Sequence, residues 1–338
     1  MKKFALIAAL LAVLGSVAAG QNSTFDEGSA LMKERRYPEA AEKFRAYIAV
    51  HSDDSAAYYN LGLCYARQKM HKASIAAFQE AARLKPDDFD TFVQLGNELD
   101  YDEQQTAAMD AYRSAIRIDP ANPQVYFELG VLQTGQKNFA DAETSFRKCA
   151  SLDSNYIPAY VQLAVALYKQ NKSGEIAALM SKATSLAGED YENHRQIGMA
   201  YTSMQRYVES LASFNKALTI RPDGYEANYG IASIWYNQSK YADAIPYFIK
   251  VLAKVPNWAN VNYYLAESYR LTGKPDDAIG FYEKAISLDS SVTGAVYGLG
   301  LAYVDKHNKP AAMIQYTRLK DSDADRAAKL LSSINAMK

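Results

Sequence analysis

The stretch Phe89–Asn122, FDTFVQLGNELDYDEQQTAAMDAYRSAIRIDPAN, decides the fold, because most of the remaining chain is this segment repeated at a fixed interval. In its first half Phe92, Leu95, Gly96 and Leu99 fall three to four residues apart. In its second half Ala108, Tyr112, Ala115 and Ile116 do the same, so the spacing predicts two helices, each with one apolar stripe. Pro120 closes the second helix. Neither stripe can be covered by the other helix alone, and a unit of this size must borrow its neighbours to bury a core.

Working outward by 34 residues, a small residue of the first helix recurs as Gly28, Gly62, Gly96, Gly130, Ala164, Gly198, Ala232, Ala266 and Gly300. Its partner in the second helix recurs as Ala40, Ser74, Ala108, Ala142, Ile176, Ser210, Ala244, Ala278 and Ala312. One turn later comes a large residue: Phe44, Phe78, Tyr112, Phe146, Met180, Phe214, Phe248, Tyr282 and Tyr316. Two small residues are expected to face each other where the helices cross, with the aromatic wedged beside them. This pattern resembles that of the tetratricopeptide repeat (TPR) family. The resemblance implies an all-α fold, a right-handed superhelical solenoid of antiparallel helix pairs, closed by a C-terminal capping helix. The expected repeats are 21–54, 55–88, 89–122, 123–156, 157–190, 191–224, 225–258, 259–292 and 293–320, with the cap at 321–338.

Length alone would give two globular domains among 338 residues, but a solenoid grows by addition, so one elongated domain is the expectation. The hydrophobic share of 49% supplies a sizeable core and excludes a disordered chain. A formal net charge of −1 gives no basic footprint for a nucleic-acid partner.

The chain opens MKKFALIAALLAVLGSVAAG. Lys2 and Lys3 precede an apolar run from Phe4 to Leu14, and Val17, Ala18 and Ala19 supply small residues for cleavage. This reads as a secretory signal peptide over 1–20, ahead of a buried first helix or an uncleaved anchor. The mature chain is therefore expected to be periplasmic or secreted, without stable membrane insertion. No cysteine lies near the cleavage point, so no lipid anchor is expected. Cys64 and Cys149, separated by a whole repeat, are expected to be unpaired structural thiols.

The first repeat is irregular at its start, with Thr24 and Glu27 at places that are usually apolar, as suits a terminal unit. The fifth, Ile157–Asp190, departs most: Ile176 replaces a small residue, Met180 the aromatic, and Ala187–Gly188 the terminating proline. Ordinary drift within a repeat family is the reading adopted, with a bend between two arms as the alternative. In the cap, Ser322 and Asp325 resemble a capping box, and Ala327, Leu330, Leu331 and Ile334 share one face.

No catalytic signature is present: His51, His71, His194 and His307 are scattered, and no zincin, CxxC, nucleophile-elbow or phosphate-loop motif occurs, so no enzyme and no cofactor are expected. The acidic run Asp100, Asp102 and Glu103, near Asp87, Asp88 and Asp90, lacks calcium-loop spacing and reads as a solvated turn, so no metal site is expected.

The resemblance implies that the first helices line an inner groove that holds a peptide or partner helix. One place per repeat along that face reads Phe25, Tyr59, Val93, Phe127, Val161, Arg195, Tyr229, Tyr263 and Tyr297. A second adds Tyr168 and Tyr236, and Tyr264 adjoins Tyr263. Tyrosine presents a large apolar face and a hydroxyl at low entropic cost. The group Tyr229, Tyr236, Tyr263, Tyr264 and Tyr297, flanked by Arg195 and Arg270, is the leading candidate surface, although the family also uses tyrosine there for packing. The terminal-carboxylate clamp of the family's chaperone-binding members is not reproduced. Asn60 and Asn97 lie on the inner face, but Tyr59, Leu63, Asp90 and Gln94 stand where basic residues belong. The expected function is a non-catalytic scaffold of the bacterial cell envelope that binds a protein or peptide. The alternative is a cell-wall glycan, since tyrosine faces also stack on sugars.

Overall fold

A computed structural model describes residues 24–337, so the signal segment and the first three residues of the first repeat lie outside the described residues. The described chain is all-helical, with nineteen helices packed in adjacent pairs and no strand among the described residues. It divides at Lys172/Ser173 into two compact units, inside the fifth and least regular repeat.

The first unit runs from α1 (24–33) through α2 (Tyr37–Ile48), α3 (Ser55–Arg67), α4 (His71–Leu84), α5 (Phe89–Tyr101), α6 (Gln105–Ile118), α7 (Pro123–Gly135) and α8 (Phe139–Leu152) to α9 (Ile157–Lys169). The second contains α10 (Ile176–Ala187), α11 (Tyr191–Ser203), α12 (Tyr207–Ile220), α13 (Tyr225–Asn237), α14 (Tyr241–Lys254), α15 (Ala259–Leu271), α16 (Pro275–Leu288), α17 (Thr293–Asp305), α18 (Lys309–Leu319) and α19 (Ala324–Asn335). From α2 to α9 in the first unit and from α10 to α19 in the second, each helix packs on the one that follows it, as a stacked solenoid requires. No described helix is long and apolar enough to cross a membrane.

The periodic small and large residues form the core. Ala40, Ser74, Ala108 and Ala142 in the first unit and Ser210, Ala244, Ala278 and Ala312 in the second are fully buried, as are Phe44, Phe78, Phe146 and Tyr282 beside them. Inside a hairpin the two small residues meet at the crossing with the aromatic wedged beside them. A Cβ added to Gly62 would lie 2.7 Å from the Phe78 ring, and one added to Gly130 2.6 Å from Phe146, so the glycine seats the aromatic edge directly. The small partner meets the glycine's backbone: Ser74 Oγ donates to the Gly62 carbonyl at 2.9 Å, and Ser210 Oγ to that of Gly198 at 2.8 Å.

Local chemistry sets the helix ends. Asp54, Asp88, Asn122 and Asp190 cap first helices by accepting from backbone N–H groups of the first turn. Between the helices of each hairpin one residue takes left-handed backbone: Arg35, Lys69, Glu103, Lys137, Asn171, Gln205, Ser239, Gly273 and His307. The N–H after each reaches back five residues to a helix carbonyl, as from Met70 to Tyr65 at 3.0 Å and from Gln104 to Leu99 at 2.8 Å, closing the helix end.

The cap corrects one sequence expectation. The residue that caps α19 is Asp323, which accepts from the Arg326 N–H at 3.0 Å, and the Ser322/Asp325 box does not form. Cys64 and Cys149 are free and buried, and burial pushes their thiols up to about 11 and about 12.

Candidate functional site

The eleven residues expected to line the groove are Phe25, Tyr59, Phe127, Tyr168, Arg195, Tyr229, Tyr236, Tyr263, Tyr264, Arg270 and Tyr297, and all are partly buried. The rings explain why. Phe25 meets Phe44 at 5.4 Å between centroids, Tyr59 meets Phe78 at 5.7 Å, Phe127 meets Phe146 at 5.8 Å and Tyr263 meets Tyr282 at 6.3 Å. Each pair is nineteen residues apart, so the ladder ring covers the core aromatic of its own hairpin and leaves only part of its surface to solvent. Val161, at the same place in α9, is buried outright.

In the second unit the aromatics converge. Tyr236 on α13 packs edge-on against Tyr264 on α15 at 5.0 Å, Tyr264 stacks on Phe248 at 6.1 Å, and Tyr263 touches Tyr264 at 5.3 Å. Tyr229 stacks on Trp258 at 4.8 Å. Trp258, Phe248 and Tyr282 are the backing of this surface, and sequence reading assigned them no part in it. Tyr297 instead joins the core around Leu319 and Leu330 under α19. Tyr168, in the first unit, has the Lys169 ammonium 5.9 Å from its ring centre.

The two flanking arginines are committed to carboxylates. Arg195 Nε donates to Glu192 at 2.8 Å, and Arg270 donates to Glu267 at 2.7 Å, with Asp305 3.6 Å away. Arg270 Nε is buried and has no acceptor. Burial works against its charge, but the hydrogen bond and field of Glu267 prevail and hold the guanidinium above its ordinary pKa. The Tyr282 hydroxyl donates to Glu267, and burial together with that carboxylate drives its pKa upward. Glu267, Arg270 and Tyr282 thus form a fixed polar floor beneath Tyr263.

The first unit holds a polar recess of about 490 Å³ between the turn after α3 and the exposed face of α5. Arg67, Lys69, His71, Asn97, Glu98 and Tyr101 bound it. Glu98 is 5% exposed, and its carboxylate lies 3.0 Å from His71 Nδ1; the His71 ring stacks on Tyr101 at 5.4 Å. Tyr112 donates to Asn97 Oδ1 at 2.6 Å. Sequence reading placed His71 among scattered histidines, because its partner lies in the next repeat. Nearby, burial raises the carboxyl pKa of Asp100. Burial likewise raises that of Glu128, against a hydrogen bond from Gln124 and with the Asp100 charge adding to the lift. The other histidines have local roles: His51 stacks on Tyr47, His194 Nε2 meets the Gly188 carbonyl at 2.9 Å, and His307 is a turn residue.

One tetratricopeptide repeat profile matches residues 25–89, 195–257 and 229–293; a TPR repeat profile matches 102–137, and a further tetratricopeptide repeat profile matches 123–156. No curated protein matches the chain. Among solved structures, the C-terminal part of a TPR repeat-containing protein from Cytophaga hutchinsonii is 18% identical. It spans 71% of this chain and 99% of its own, with a TM-score of 0.51. A tetratricopeptide repeat protein from Parabacteroides merdae is 18% identical over 73% of this chain and 98% of its own, with a TM-score of 0.46. MamA from Desulfovibrio magneticus is 16% identical over 50% of this chain and 96% of its own, with a TM-score of 0.47. At 18% identity, the Cytophaga likeness speaks to the fold alone.

Proposed function

Because the chain belongs to the tetratricopeptide repeat family, we propose that it is a non-catalytic scaffold of the bacterial cell envelope that holds a protein or peptide along its first helices. Family membership supports a protein-interaction role in general. The observation that carries the finer reading is the aromatic group of the second unit, where Tyr229, Tyr236, Tyr263 and Tyr264 are each backed by another ring and keep part of their surface open. Rigid, half-covered tyrosines lose little entropy on binding and offer both apolar area and hydroxyls. The envelope location rests on the leader Met1–Gly20, and its test is N-terminal sequencing of the exported protein.

The function is tested by affinity capture from a cell-envelope extract, with the mature chain beside a Tyr229→Ala/Tyr263→Ala variant, read by mass spectrometry. Since Tyr263 covers Tyr282, a Tyr229→Leu/Tyr263→Leu variant keeps apolar volume, and circular dichroism must report native helix in both. A protein captured by the native chain and lost from both variants supports the proposal. Equal capture by all three moves the surface elsewhere. Recovery of glycan with no protein favours the polysaccharide alternative.

A further inference from the structure

We infer that a recess in the second unit, between the second helices α14 and α16 and the start of α15, receives the indole of a tryptophan from a partner protein. None of the eleven first-helix residues bounds it, so this docking point is separate from the surface around Tyr229 and Tyr263 and stands or falls without it.

Three observations carry it. The first is a buried acceptor with nothing to accept from. The recess measures about 370 Å³ and is walled by Leu252 on α14, Pro256 in the turn that follows and Phe281 on α16. Asn262 on α15 also bounds it and is 2% exposed. Its Nδ2 donates to the carbonyls of Pro256 at 3.2 Å and Trp258 at 2.9 Å, so the amide nitrogen is spent on the turn. No described donor reaches Oδ1, the group that Asn262 has left to present. One repeat earlier Asn228 holds the same place and donates to the Gly224 carbonyl at 2.9 Å, but there Oδ1 is sealed from solvent; Asn262 Oδ1 is not.

The second is Gly280. It lies in the interior of α16, where glycine weakens a helix, and a Cβ added to it would meet nothing within 4 Å. Gly62, Gly130 and Gly300 are each required by a side chain of this chain, whereas no described neighbour requires Gly280. Its bare backbone lines the recess, so a flat ligand can lie against α16. The third is charge. Asp276 is paired with Lys306, while Asp277 and Lys284, two turns apart on α16, carry opposite charges. A balanced rim does not repay the desolvation of a guanidinium or ammonium. Phenylalanine would cover Oδ1 and give it no donor. A slot with apolar walls and one reachable acceptor selects a neutral ring that is apolar except for a single N–H.

The test uses the mature chain and N-acetyltryptophanamide, its 1-methylindole analogue and N-acetylargininamide, titrated by saturation-transfer NMR. Tryptophanamide is expected to bind about fivefold more tightly than either of the others, because only it offers a neutral N–H. A dodecapeptide of glycine and serine with one central tryptophan is expected to displace it. Gly280→Leu, an exposed change that puts a side chain into the recess, is expected to abolish binding with native helix by circular dichroism. Gly280→Ala is expected to raise the melting temperature by about 2–4 °C while weakening binding, a combination that a glycine kept only for the fold would not give. Tyr229→Ala/Tyr263→Ala is expected to bind tryptophanamide as the native chain does, which separates failure here from failure of the first-helix surface. Equal affinity for the methylated analogue, tighter binding of argininamide, or full binding by Gly280→Leu overturns the assignment. Binding of the amide without displacement by the peptide overturns the partner-protein source. Self-association of the native chain in sedimentation equilibrium that is lost in Gly280→Leu overturns it in favour of a second copy.

Discussion

Leu330 on the terminal helix occupies the space that a Cβ on Gly300 would need. Gly300 lies at the small-residue place of the ninth repeat, and Leu330 is fully buried against it together with Ile334. The glycine therefore does for α19 what Gly62 does for Phe78. Gly300→Ala is expected to overpack this contact and destabilise the docking of α19 by about 1–3 kcal/mol. Hydrogen exchange should show amides of 324–335 opening faster while those of α15 and α16 are unchanged. Leu330→Ala should cost less in the Gly300→Ala background than in the native chain, because the truncation relieves the overpacking; an additive loss would refute the contact as the cause.

Tyr282→Phe removes the hydroxyl donated to Glu267 and is expected to lower stability by about 1.5–3 kcal/mol at neutral pH. Burial and the Glu267 charge raise the phenol pKa in the folded state. The stabilisation from a raised phenol is present below its ordinary value of about 10 and is lost as pH rises past it. The gap between native chain and variant should therefore narrow above pH 10. Tyr112 and Tyr236 are raised in the same direction by burial, so the variant should keep a residual alkaline loss. Urea melts from pH 7 to pH 11 check both the size and the sign.

Cys64 and Cys149 should be inert in the folded chain. Both are fully buried, and burial holds their thiols at about 11 and about 12, well above the ordinary range. At pH 8 a thiol reagent such as DTNB is expected to label neither until denaturant is added, after which both should react. Prompt labelling of either one in the native chain would contradict its burial.

Gly273 is the one glycine among the nine left-handed hairpin turns, with φ 77°. Gly273→Ala is expected to lower stability by about 1 kcal/mol, because a Cβ in that conformation meets the following carbonyl. Gln205→Ala, at the equivalent turn where φ is already 59° with a side chain, should be close to neutral. Thermal melts of the two variants side by side check the contrast.

The sequence by itself determined the repeat. Period, helix pairs and core are local consequences of apolar spacing and of small residues set opposite aromatic ones, and the residues at those places are the ones buried in the structure. It could not show the left-handed turns, since Arg35, Lys69, Glu103 and His307 share no side-chain property; the need there is of the backbone, in closing each first helix onto the next. Tertiary structure decided the rest. The open inner face looked, in sequence, like a ladder of free aromatic rings, but the exposure of Phe25, Tyr59, Phe127 and Tyr263 depends on a core aromatic nineteen residues away, and Val161, Tyr297 and the two arginines turned out to be committed to neighbours. Glu98 and His71 lie 27 residues apart on different hairpins, and only stacking brings them within 3.0 Å. Periodicity tells which side of a helix meets a neighbour. Which atoms remain free to meet a ligand depends on how neighbouring hairpins pair their polar groups, and that follows from the packing of the stack.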